Sequence, residues 1–201
     1  MTLPAWILSA AFAVAALSLG RARLGIGSVR ARLFAPSAGS AGEGITYAFT
    51  AAFLPWAKES ARGHPLSYLA GIVYHAGILA MLICLVLSVA PLQAAPALAH
   101  GLAFLFGAAL AAGLGLLVKR LADSGLRAVS VPDDFIANLL VDGALAAALA
   151  AALLPAALFV FQLWGAALLA YAPLGKLRHM LFLLTSRRLW GAYYGRRGVL
   201  P

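Results

Sequence analysis

Five stretches of the chain are apolar almost without interruption, at about residues 3–20, 66–90, 96–118, 134–153 and 156–180, and the polar residues collect between them. A helix needs about 20 apolar residues to cross a hydrocarbon core. The pattern therefore predicts an all-α integral membrane bundle of five transmembrane helices, forming one membrane domain over 1–201. Between and beyond the runs lie a long loop, 21–65, and a tail, 181–201. Composition agrees: 64% of residues are hydrophobic and 10% charged, with mean hydropathy +0.95. A soluble domain carries about a quarter charged residues.

Charge gives the pattern a direction. All fifteen Lys and Arg fall in three stretches that alternate crossings would leave on one side. The first holds Arg21, Arg23, Arg30, Arg32, Lys58 and Arg62; the second Lys119, Arg120 and Arg127; the third Lys176, Arg178, Arg187, Arg188, Arg196 and Arg197. The N-terminus and the turns near 91–96 and 154–156 hold none. Short basic loops stay cytoplasmic. This predicts an outside N-terminus, a cytoplasmic C-terminus and a multi-pass protein of the cytoplasmic (inner) membrane. The net charge of +9 is then explained by retention and anionic lipid, and no nucleic-acid partner is expected. No charged region precedes the first apolar run, so a cleaved signal peptide is not expected.

Within the loop 21–65, Gly25, Gly27, Pro36, Gly39 and Gly42 predict irregular backbone over the first half. Residues 45–62 begin apolar and end in Lys58, Glu59 and Arg62, the pattern of a segment lying on lipid or docking a partner. Pro65 stands where the second crossing begins, and Asp133 and Asp134 stand where the positive end of the fourth favours them. Asp142 is placed about 12 Å along that helix. An intramembrane carboxylate points to proton relay or to pairing with a neighbouring helix or an arginine. Gly107, Ala111 and Gly115 form a small-residue ridge suited to close helix packing. Trp164, Trp190, Tyr193 and Tyr194 are candidate interface anchors.

Candidate chemistry rests on histidines. Cys84 is alone, which excludes disulfides, CxxC motifs and thioether-bound haem. His75, in GIVYHAGILAML, and His179, in PLGKLRHMLFLL, both come out toward the basic side. Two facing imidazoles suit axial ligation of haem iron; the other reading is two packing residues bonded to backbone carbonyls. Small residues at Gly71, Ala76 and Gly77 would let a macrocycle approach, and Lys176 and Arg178 stand where haem propionates would need cations. His64 is expected at the inner surface. No catalytic triad or nucleotide-binding loop is present, and no catalytic residue is assigned.

YHAGILAMLI in the second crossing and KLRH near the end of the fifth resemble the cytochrome b (gamma) subunit of membrane-bound respiratory nitrate reductases. The terminal GAYYGRRGVLP is more similar to the related membrane subunits of heterodisulfide-reductase-like and sulfite-reductase-associated complexes. The resemblance covers most of 66–200 and centres on His75 and on the segment from Pro173. It implies five crossings with the N-terminus outside. It also implies non-covalent haem b, a menaquinone or ubiquinone substrate, and a cytoplasmic iron–sulfur subunit among further partners. The family places a second histidine ten positions after His75, where this chain has Leu85, and another eighteen before His179, where it has Phe161. Both missing residues belong to the outer haem, so one haem held by His75 and His179 is expected. His100, at the outer start of the third crossing, falls where the family binds quinone; the other reading is a simple interfacial histidine. The basic tail would dock the soluble partner. The expected role is quinone-linked electron transfer, not catalysis by this chain alone. A haem-free membrane anchor or small transport subunit is the alternative.

Overall fold

The computed structural model describes residues 3–25, 38–57, 59–89 and 96–200, and all that follows concerns these. Parts of the expected loop (26–37) and turn (90–95), and Lys58, lie outside them. Every described element is helical, and no strand occurs among the described residues. The α-helices are α1 (Leu3–Gly25), α2 (Ala41–Phe49), α3 (Glu59–Gly63), α4 (Pro65–Leu87), α5 (Pro96–Ala122), α6 (Ser124–Ala128), α7 (Pro132–Leu153), α8 (Leu158–Tyr171) and α9 (His179–Arg196). Prolines open α4, α5 and α7, where the missing N–H breaks no helical bond. Helices α4, α5 and α7 are long and apolar enough to cross a membrane; Ala5–Ser18 and Pro155–Tyr171 are shorter apolar helices. The chain thus has the make-up of a multi-pass α-helical membrane protein.

The chain divides into two compact units, one of residues 1–18 and 66–177, the other of 19–65 and 178–201. In the first, α7 packs against both α5 and α8. In lipid such contacts rest on close van der Waals fit and hydrogen bonds, so small residues are favoured where helices meet. A Cβ on Gly77 of α4 would strike Ala109 of α5, one on Gly165 of α8 would strike Leu85, and one on Gly143 of α7 would strike the Trp164 ring. The buried stripe of α5 is Ala103, Phe106, Ala109, Gly113 and Leu117. The expected ridge of Gly107, Ala111 and Gly115 is turned elsewhere, with open space over both glycines. At about 100° per residue the two sets occupy different faces of one helix. Likewise Gly77 serves the α4–α5 contact and not the approach of a macrocycle.

The expected fifth run, 156–180, is not one helix. It is α8, a turn, and a short 3₁₀ segment, Lys176–Arg178, before α9. Pro173 cannot continue the hydrogen-bond ladder, and a Cβ on Gly175 would enter the Tyr171 ring. The turn is fastened to the start of α7, where the Asp133 carboxylate accepts the Lys176 backbone N–H at 2.8 Å. Between α5 and α7, Asp123 caps α6 by accepting the N–H groups of Leu126 (3.0 Å) and Gly125 (2.8 Å). Those two bonds, with the nearby charges of Lys119 and Arg127, hold its carboxyl below the usual range.

The second unit is built on α2 against α9. Added Cβ atoms on Gly44, Gly191 or Gly195 would each meet backbone of the opposite helix, so the two main chains touch. The Ser40 hydroxyl accepts the Glu43 N–H to cap α2. The N–H groups of Ala38 and Gly39 donate to the Arg196 carbonyl at 2.9 and 3.1 Å, tying the start of this segment to the end of α9. Gly198 turns the chain there with φ +65, a conformation open to glycine.

Candidate functional site

His75 lies midway along α4, a helix of almost wholly apolar residues, and its side chain is exposed. Its Nδ1 sits 2.7 Å from the Gly71 carbonyl one turn earlier. A carbonyl only accepts, so Nδ1 carries the proton and the Nε2 lone pair is the ring's accepting or ligating atom. A bond from the non-ligating ring nitrogen to a carbonyl fixes tautomer and ring orientation in metal-ligating histidines. It is also how a packing histidine satisfies one nitrogen. Gly71 has open space where a Cβ would stand, so the helix surface beside the ring is flat.

His179 is the first residue of α9, exposed, immediately after the 3₁₀ turn that carries Arg178. It belongs to the second unit, whereas His75 belongs to the first. Lys176 does not present a free ammonium: its Nζ donates to Asp134 Oδ1 at 2.5 Å, and Asp134 also faces Arg120 at 3.4 Å. Arg178 is exposed at the head of α9. His100 is exposed in the second turn of α5, and His64 is exposed just before α4. Among the described residues no group of three or more His, Cys, Asp or Glu is placed to hold a metal ion.

Leu85 and Phe161, which stand where the resembled family has its outer ligands, are core residues of the first unit. Leu85 is fully buried over Gly165, and Phe161 is 3% exposed. Neither side chain offers a ligating atom.

Neither a family model, nor a curated protein, nor a solved structure matches this chain. The geometry therefore stands on its own residues.

A second polar centre lies inside the first unit, and only one of its members stood out in the sequence. Asp142, 4% exposed, accepts from the Tyr74 hydroxyl at 2.8 Å and from the Asn138 amide at 2.7 Å; Asn138 also reaches the Tyr74 oxygen at 3.3 Å. Gly113 of α5 makes the space, since a Cβ there would strike both Asp142 and the Tyr74 ring. No salt bridge reaches Asp142 among the described residues. The carboxylate is paired with a neighbouring helix, through a tyrosine and not an arginine. Asn138 stands four positions before Asp142, a spacing visible in the sequence. Tyr74 was hidden because nothing local reveals which helix meets which. A further bond between polar side chain and backbone, Gln162 Nε2 to the Ser88 carbonyl at 2.9 Å, closes the other end of α4 against α8.

Proposed function

We propose that this chain is a membrane cytochrome b subunit of a multi-subunit oxidoreductase. In this reading it crosses the cytoplasmic membrane five times, with the N-terminus outside and the C-terminus inside. The observation that carries the reading is His75: an exposed imidazole in an apolar span, its Nδ1 committed to Gly71 and its Nε2 left for a ligand, beside a glycine with open space. An ionisable side chain at membrane depth is a functional candidate by default. The resemblance of YHAGILAMLI and of KLRH to respiratory cytochrome b subunits supplies His179 as the second ligand.

By the resemblance, His75 and His179 would be the residues that hold haem b, and Arg178 would pair with a propionate. Lys176 is already committed to Asp134. When bound, such a group supplies one-electron transfer at a potential set by its axial ligands and low-dielectric surroundings. The protein's part is to orient two imidazoles and keep water from them. Electrons would pass between menaquinone or ubiquinone and a cytoplasmic iron–sulfur subunit, with substrate chemistry in another chain. His100 is the candidate for the quinone oxygen, and the buried Leu85 and Phe161 are in keeping with one haem and not two.

One observation also suits a haem-free anchor: the Gly71 bond that would orient a ligand equally satisfies a packing histidine. A single measurement separates the readings. Wild-type protein produced under haem-sufficient conditions is expected to show a reduced haem b spectrum. His75→Ala and His179→Ala should each abolish it while leaving helical content and detergent solubility unchanged. Wild type without the spectrum would overturn the cytochrome reading and leave the anchor.

A further inference from the structure

The net charge is not shared between the two units. The first holds four basic and four acidic residues, net zero; the second holds eleven basic and two acidic, net +9. Within the second unit, two arginines border an exposed apolar patch. Trp56 is 63% exposed, and Phe53 and Leu54 beside it are also exposed. The Arg187 guanidinium lies 4.3 Å above the centre of the Phe53 ring and donates to the Ala48 carbonyl at 3.3 Å. Arg62 donates twice to the Trp56 carbonyl, at 3.1 and 2.6 Å. Arg188 is exposed next in line on α9.

We infer that this patch, Trp56 with Phe53 and Leu54 beside Arg62 and Arg187, seats on the anionic phospholipid surface of the bilayer, with the exposed Arg188 following Arg187 on α9. Three arguments favour lipid over a protein partner. First, aromatic side chains with polar edges among arginines match the headgroup zone, where tryptophan is enriched and each basic residue near an anionic surface is attracted. Second, the opposite charge is there in the lipid: a net +9 unit meets a negative leaflet. Third, Trp56 precedes the first residue of α4 by nine positions, so chain continuity alone holds the patch within about 30 Å of the bilayer that α4 enters. The surface needs no diffusing partner to be occupied. The proposal decides between the two fates open to segment 45–62, and it stands whether or not haem is bound.

The test uses the full chain in bilayers with Trp56 as the sole tryptophan, after Trp6→Phe, Trp164→Phe and Trp190→Phe. Its fluorescence is measured in phosphatidylglycerol and in phosphatidylcholine bilayers, each carrying tail-brominated lipid as quencher. Quenching several-fold stronger in the anionic bilayer is expected, reduced to the zwitterionic level by Arg62→Gln, Arg187→Gln and Arg188→Gln together. The comparison of lipids uses one protein, so misfolding of the charge variant cannot imitate the result. Equal quenching in both bilayers, or none in either, overturns the proposal; the second outcome would assign the patch to a protein partner.

Discussion

One carboxyl is the centre of the polar contacts inside the first unit. Asp142 is buried among apolar side chains, and its oxygens are met by one hydroxyl and one amide. In lipid the unfolded reference also finds partners, so an interhelical bond contributes about 0.6 kcal/mol on average and about 1.7 at most. Tyr74→Phe, which deletes only the hydroxyl, should lower stability in detergent by about 1 kcal/mol on that scale. Asp142→Ala should cost more, about 1–3 kcal/mol, because Tyr74 and Asn138 then both lose a buried acceptor. Gly113→Ala should resemble Asp142→Ala, since the added methyl occupies the space the carboxylate and the ring now share. Unfolding by denaturing detergent or by steric trapping measures all three. A Tyr74→Phe variant as stable as wild type would show that the bond contributes nothing in the bilayer. The presence of an unusual carboxyl was legible in the sequence because charge in an apolar run is conspicuous. Its partner was not, because register between helices depends on contacts distant in the chain.

At the scale of elements, the glycines sort into two kinds that composition alone does not separate. Gly107 and Gly115 have open space around them, although they form the more obvious ridge. Gly191 and Gly195, one turn apart in GAYYGRRG, are closed by the backbone of α2. A Cβ at Gly195 would meet the Ser40 carbonyl and Gly44 Cα, which are main-chain atoms with no rotamer to escape into. Gly195→Val should therefore push α2 off α9, at a cost of about 1–3 kcal/mol or more. Protease cleavage and amide exchange within 38–57 should rise several-fold, while α5 and α7 keep their protection. Gly115→Val serves as the contrast and should change neither. Equal behaviour of the two variants would mean that the α2–α9 contact is not backbone-tight in solution. The three longest apolar helices were legible within a few residues, since runs of apolar side chains with prolines at their starts leave few alternatives. The break after Tyr171 was not, because the small apolar residues around Pro173 kept the hydropathy high through a turn.

For the whole molecule, the question is how many times the chain crosses the bilayer. Helices α4, α5 and α7 are long enough. Helix α8 has 14 residues, about 21 Å at 1.5 Å per residue against a hydrocarbon core of about 30 Å. The 3₁₀ turn Pro155–Ala157 before it adds length, and a bilayer thins locally around a short span at modest cost. Charge argues that α8 does cross. Nothing basic precedes it in the turn at 154–156, whereas Lys176, Arg178 and the arginines of α9 all follow. If α8 failed to cross, those six residues would lie on the face opposite Lys119, Arg120 and Arg127, against the positive-inside bias. With the apolar run at 3–20, which basic residues follow and none precede, the crossings number five, so the two ends of the chain are expected on opposite faces. A fluorescent protein fused after the last residue should fold and fluoresce in the cytoplasm, and an exported-enzyme reporter fused before Met1 should be active outside. Activity of both reporters on the same face would remove one crossing. With both outside, the crossing withdrawn would be α8, and with it the cytoplasmic setting of Arg178 and His179 on which the single-haem reading depends; with both inside, it would be the first, at residues 3–20.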